Sequence, residues 1–174
     1  MRRAMIIGQP GSGKSTLARA LGQITDLPVI HIDQILWQTG WIQRSRPEID
    51  ALCLEAHARP CWIFEGGHSS TWAQRLERCD TLIWLDVPLA RRLYRVLLRT
   101  LRHHGRTRPD LTPGCHEHFD TEFLVWMWNT RNSAREKMRR LYETAPADKA
   151  LYRFTRFAEV DRFLDDVRNR VATS

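Results

Sequence analysis

Gly8-Gln9-Pro10-Gly11-Ser12-Gly13-Lys14-Ser15-Thr16 has the residue types and spacing to hold a phosphate chain. The run fits G-x-x-x-x-G-K-[ST], in which glycines let the backbone curl until successive N–H groups face one anion. Lys14 brings a mobile positive charge to β- and γ-phosphates, and Ser15 offers a hydroxyl to Mg²⁺. Gly8, Pro10, Gly11, Ser12, Gly13 and Thr16 complete the cradle. ATP and Mg²⁺ are therefore the expected ligands.

Three carboxylates end or follow apolar runs: Asp33, Glu65 and Asp86. Glu65, followed by Gly66-Gly67, suits Mg²⁺, directly or through water, or the proton of an acceptor hydroxyl; an N-cap or structural salt bridge is the plainer alternative. Asp33 fits the same two chemical roles or a helix cap. Asp86 precedes Pro88 and a helical pattern, so capping or loop fixing is preferred for it.

The segment from Arg91 to Arg108 carries Arg91, Arg92, Arg95, Arg99, Arg102, Arg106 and Arg108 without one acid. It repels itself unless it meets anions. Phosphoryl transfer needs positive charge on the moving oxygens, so Arg99 and Arg106 are candidate catalytic groups and Arg102 and Arg108 candidate nucleotide contacts. Gly105, Pro109, Pro113 and Gly114 punctuate residues 103–118 and make it an expected lid, open without ligand. Residues 34–60 form the expected acceptor-side lobe. Its Trp37 and Trp41 suit either a base or aromatic packing. Cys115 with His103, His104, His116 and His118 lacks the paired ligands of structural zinc.

These groups need a scaffold. Ala4–Ile7, Val29–Ile32, Trp62–Glu65, Thr81–Asp86 and Leu151–Phe154 read as short buried strands, mostly separated by helical patterns. Such alternation gives a parallel sheet covered on both faces, with ligands at the strand C-termini. A helical stripe is expected at Leu89, Leu93, Val96, Leu97 and Leu101, and one long helix from Phe123 to Tyr142 with Asp120 as its cap. The 174 residues, 43% hydrophobic with net charge +7, suit a single domain of residues 1–174. No apolar run is long enough to span a membrane, and Met1-Arg2-Arg3 leads into a strand rather than a signal segment. Cys53, Cys61, Cys79 and Cys115 form no C-x-x-C pair, which fits a reduced cytoplasmic protein.

Together these pieces resemble a known family. Ile6-Ile7-Gly8 through Thr16, His31-Ile32-Asp33 with Trp37 and Gly40-Trp41, Phe64-Glu65-Gly66 and Leu82–Asp86 are similar to the adenylate-kinase-related P-loop proteins labelled DNA topology modulation proteins. Arg106-Thr107-Arg108-Pro109-Asp110, Gly114-Cys115, Phe119-Asp120 and Glu122-Phe123 continue the likeness. Adenylate, shikimate and gluconate kinases are more distant. The resemblance implies an α/β P-loop NTPase fold of three layers, nucleoside- or nucleotide-kinase-like, with a five-stranded parallel sheet in order 2-3-1-4-5 and an arginine-rich lid. It implies ATP, Mg²⁺ and a small-molecule phosphate acceptor. Where relatives have Glu-Gly-Asn-Tyr, this chain has Glu65-Gly66-Gly67-His68, so acceptor identity does not carry over. The leading expectation is transfer of the ATP γ-phosphate to a nucleoside, nucleotide or sugar-like hydroxyl. An ATP-hydrolysing regulatory protein acting with DNA is the second, and nucleic acid is the less favoured partner, since no DNA-binding motif appears. A nucleotide-binding module without catalysis is the third.

Overall fold

The computed structural model describes residues 1–173. In chain order the elements are β1 (Arg3–Gly8), α1 (Lys14–Thr25), β2 (Val29–His31), α2 (Ile32–Leu36), β3 (Trp37–Gln38), β4 (Ile42–Gln43), α3 (Arg46–Ala58) and β5 (Trp62–Glu65). A 3₁₀ turn (Ser69–Thr71) leads into α4 (Trp72–Arg78), followed by β6 (Thr81–Leu85), α5 (Leu89–His103), α6 (Thr121–Asn129), α7 (Arg131–Glu143), β7 (Ala150–Phe154) and α8 (Phe157–Ala172).

Five strands form one parallel sheet in order β2-β5-β1-β6-β7. Numbering only those five along the chain gives 2-3-1-4-5, as expected. Alternation along β1 assigns its side chains to opposite faces. Ala4 and Ile6 join Leu17, Leu21, Val160 and Phe163 beneath α1 and α8. Met5 and Ile7 join Ile49, Cys53, Trp72, Leu76 and Met138 beneath α3, α4 and α7. Both faces are thus covered, which is why the strands are continuous apolar runs.

Two helical expectations change. The long helix is two: α6 ends at Asn129 and is capped by Thr130, whose hydroxyl donates to the Trp126 carbonyl at 2.7 Å, and α7 starts at Arg131. Asp120 does cap α6, accepting from the Phe123 amide at 2.9 Å. On α5 the buried residues are Arg92, Val96 and Thr100, while Leu101 is 77% exposed. The buried line runs at i, i+4 and i+8, and its polar members meet loop carbonyls and a carboxylate. A stripe of apolar residues alone does not locate it.

Asp86, just after β6, fastens the far edge. It accepts from Arg135 of α7 at 2.7 and 2.8 Å and from Arg153 of β7 at 3.2 and 2.7 Å. Burial works to raise its pKa, but these bonds outweigh it and hold the carboxyl below the ordinary range.

Candidate functional site

The loop between β1 and α1 is built for an anion. Gly13 is the N-cap of α1, with no side-chain cap and no acid in the first turn. The first amides of a helix have no intrahelical acceptor, so this end presents bare donors and a positive dipole. Lys14 and Ser15 open the helix, with Thr16 next. The Lys14 ammonium lies 3.4 Å from the Gln9 carbonyl. Ser12 is fully buried and its hydroxyl has no partner among the described residues. Gly11 has φ +78° and passes so close to the Arg92 carbonyl that a Cβ would collide with it. Arg92 secures this approach, donating to the carbonyls of Val87 at 3.1 Å and Pro10 at 3.3 Å. These residues fit a bound triphosphate.

The acidic edge follows from strand register. His31 and Glu65 are direct neighbours on parallel β2 and β5, so their side chains meet at 2.8 Å, both buried. Asp33 follows β2, as expected, and is the second residue of α2. Gly66, with φ +114°, lets α2 close down, because a Cβ there would strike Ile32. Burial, then the Glu65 carboxylate, push the Asp33 carboxyl up to about 6, against the pull of Lys14 and Arg108. Asp33, Glu65, Lys14 and Arg108 therefore share one electrostatic site.

This perturbation has a measurable consequence. A raised carboxyl pKa favours the protonated form in the folded state, so the ionised form destabilises the fold above about pH 6 and not below about pH 4. Asp33→Asn should stabilise the ligand-free protein by about 2–3 kcal/mol at about pH 8, with the gain vanishing near pH 4. Urea unfolding at the two pH values measures it; no gain at the higher pH would mean that Asp33 is well solvated.

Residues 105–117 close on themselves, Gly105 N–H donating to the Glu117 carbonyl and Glu117 N–H to the Arg106 carbonyl, both at 2.9 Å. The loop then docks on the acceptor-side lobe. Thr112 Oγ1 donates to the Trp37 carbonyl at 2.6 Å, Thr39 Oγ1 to that of Pro113 at 3.0 Å, and Trp41 Nε1 to that of His116 at 3.0 Å. Trp37 and Trp41 pack edge to face at 5.4 Å, and Trp41 meets His118. Buried Leu111 and Cys115 fill the seam. These contacts hold residues 105–117 as a folded loop on the acceptor-side lobe.

Its arginines are partly neutralised within the protein. Arg108, expected to reach phosphate, is buried, bonds Asp110 at 2.9 Å and touches Glu117 at 2.9 Å. Arg99 Nε and Thr100 Oγ1 both donate to Glu117 at 3.0 Å. Burial, then the Arg108 cation, lower the Arg99 pKa. Arg102 and Arg106 are exposed and have no side-chain partner among the described residues. Glu117 joins buried Arg108 to half-buried Arg99. Removing one partner of a buried ion pair leaves a desolvated charge, so Glu117→Ala should lose about 3 kcal/mol in urea unfolding. Faster amide exchange over 105–117 should accompany it; unchanged stability would make Glu117 dispensable to the loop.

One residue was not foreseen. Arg75 is 0% exposed, lies over the Phe64 ring at 3.8 Å and forms no ion pair among the described residues. It donates to the carbonyls of Gly66 at 3.0 Å and Gly67 at 3.4 Å and to His57 at 3.0 Å, fixing the edge beyond Glu65. Burial, then Arg75, lower His57 to about 3, so it accepts as neutral imidazole. The available signal was a lone arginine on the apolar face made by Trp72, Leu76 and Cys79. Arg95, stacked over Phe157 at 4.3 Å, also lies near Gly13.

Residues 4–64 match the model of the ATPase family associated with various cellular activities (AAA). Shikimate kinase of Rhodococcus jostii (strain RHA1) is 28% identical over 114 residues, covering 58% of this chain and 68% of that protein. Shikimate kinase from Bacteroides thetaiotaomicron superposes with a TM-score of 0.54 and 19% identity, covering 98% of both chains. A sugar kinase from Janibacter sp. HTCC2649 gives a TM-score of 0.52 and 16% identity, covering 99% of this chain and 93% of that one. Among the described residues no helix is long and apolar enough to cross a membrane. The phosphate loop, the five-stranded parallel sheet and these likenesses give the chain a P-loop kinase-like, three-layer α/β fold.

Proposed function

We propose that this chain is an ATP-dependent phosphotransferase that moves the γ-phosphate to a hydroxyl of a small acceptor. The observation that carries the reading is the placement of Asp33 and Glu65 beside an uncapped helix start that holds Lys14. An anion cradle alone suits any nucleotide binder. A cradle adjoining two carboxylates, one pushed up to about 6, also supplies a base poised near neutral pH.

Each residue then has a task. The loop amides and Lys14 hold the phosphates, and Lys14 offsets charge on the oxygens of the transferred group. Ser15 and Glu65 would hold Mg²⁺, which supplies further charge neutralisation. Asp33 takes the proton of the acceptor hydroxyl. Arg75 keeps the Gly66–Gly67 edge in place, and Arg106 and Arg102, exposed and unpaired, are free to meet phosphate. Arg99 and Arg108 act by fixing the loop through Glu117. The kinase relative supports the reaction class and leaves the acceptor open.

The test is product identity. Purified protein with Mg²⁺ and ATP, offered a pool of hydroxyl-bearing metabolites, should yield ADP and a phosphorylated small molecule by mass spectrometry. Phosphate released without an acceptor and accelerated by DNA would replace this reading with an ATPase acting on DNA, the role suggested by the topology-modulation resemblance.

A further inference from the structure

The edge of the sheet opposite the phosphate loop holds a second opening. A cavity of about 550 Å³ is lined by Arg3, Leu54, Gln74, Glu77 and Arg78. Arg3 is the first residue of β1, whose last residue, Gly8, begins the phosphate loop. It pairs with Trp62, the first residue of β5, so the cavity lies where the parallel strands start and the phosphate loop where they end. Leu54 comes from α3, and Gln74, Glu77 and Arg78 come from α4. Gln74 and Arg78 are one turn apart and share a face of that helix.

Both arginines of this cavity are unpaired. Neither guanidinium has a hydrogen bond or ion pair among the described residues. The Nε of Arg3 is shut off from solvent, so the stem is packed and only the two terminal nitrogens remain for an outside group. Asp80 does not neutralise them: it accepts from the amides of Arg2 and Arg3 at 2.8 and 2.9 Å and from the Thr81 hydroxyl at 2.7 Å. Glu77 shares the cavity wall and pairs with neither arginine. A guanidinium held in place forms charge-assisted, two-pronged bonds to carboxylate or phosphate with less ordering cost than a loose one. The volume is that of a metabolite site, and Leu54, 44% exposed, offers an apolar wall for an organic body. Glu77 suits a hydroxyl or ammonium on the same ligand.

We propose that this cavity is a second ligand site, for a small organic anion bearing carboxylate or phosphate, and that its occupation ties α3 and α4 to β1. The same two helices carry the acceptor edge. Asp50 of α3, one turn before Leu54, accepts from His68 and from the Ser70 hydroxyl. Arg75 of α4, next to Gln74, holds the carbonyls of Gly66 and Gly67. An anion that clamps both helices steadies that edge from the far end of the sheet. The proposal does not depend on which acceptor is phosphorylated.

Calorimetric titration tests it with the phosphate loop already filled. The full chain, saturated with Mg²⁺ and a non-hydrolysable ATP analogue, is titrated with inorganic phosphate, glycerol 3-phosphate and succinate at constant ionic strength. At least one should bind saturably, one per chain, and the three probes separate a phosphate preference from a carboxylate one. Arg3→Gln and Arg78→Gln should each weaken that binding about fivefold or more, and Glu77→Gln, which removes the opposing charge, should tighten it about threefold. Thermal melts confirm that the variants fold; Glu77 and Arg78 are exposed. Amide exchange over residues 46–58 and 66–78 should slow when the probe binds. Saturable binding of none of the three probes, binding lost once nucleotide fills the loop, affinity unchanged in all three variants, or unchanged exchange in both helices overturns the inference. The product test above is unaffected by any of these results.

Discussion

Lys14→Ala is expected to lower turnover about a hundredfold or more at saturating Mg²⁺ and ATP. The ammonium is the first side chain of α1 and rests 3.4 Å from the Gln9 carbonyl, at the mouth of the loop. It is also one of the two cations bearing most on Asp33. Its removal takes charge from oxygens whose negative charge redistributes during transfer, so the loss falls on turnover more than on nucleotide affinity. The fold should survive, since the lysine head is not buried and the glycines that shape the loop remain. Single-turnover phosphate transfer, beside a thermal melt of the variant, measures both. Wild-type turnover in a folded variant would remove Lys14 from the site.

Glu65→Gln should leave nucleotide binding nearly intact and reduce transfer by about a hundredfold. The amide keeps the shape of a side chain that is only 2% exposed, and its oxygen still accepts from His31. What disappears is the negative charge, whether it serves Mg²⁺ or a proton. Turnover measured across a range of Mg²⁺ separates the two: a defect that excess Mg²⁺ repairs places Glu65 on the metal, and one that it does not repair places it on the proton. Wild-type turnover at every Mg²⁺ concentration would leave Glu65 a structural partner of His31.

The parts of this architecture that are local in sequence were legible there. Gly8 through Thr16 specify strand end, loop and helix start within a few residues, and apolar runs such as Leu82–Leu85 announce strands buried on both faces. Strand order came from the resemblance. The parts that depend on distant pairing were hidden. Arg99 read as unpaired because Glu117 lies beyond it in the chain, and only the closed loop returns that carboxylate to α5. The β3–β4 hairpin has strands of two residues each, too short for any periodicity to mark. Arg75 was hidden for another reason: its partners are main-chain carbonyls, which no residue type reveals.

The sheet order also sets a timetable for synthesis. β1, the strand that carries the phosphate loop, is made before the other four strands of the sheet, yet it lies at the sheet's centre. Its neighbours are Trp62–Glu65 and Thr81–Leu85, both made much later. Until then Ala4 to Ile7, all fully buried at the end, have nothing to pair with. Such long-range parallel pairing closes large loops before any contact rewards it, which slows folding and leaves apolar strand edges open to other chains. The nascent protein is therefore most exposed to aggregation between the appearance of β1 and that of β6. A chaperone that shields β1 until β5 and β6 are made, or a slower stretch of translation placed after β6, would raise the yield of protein able to bind nucleotide.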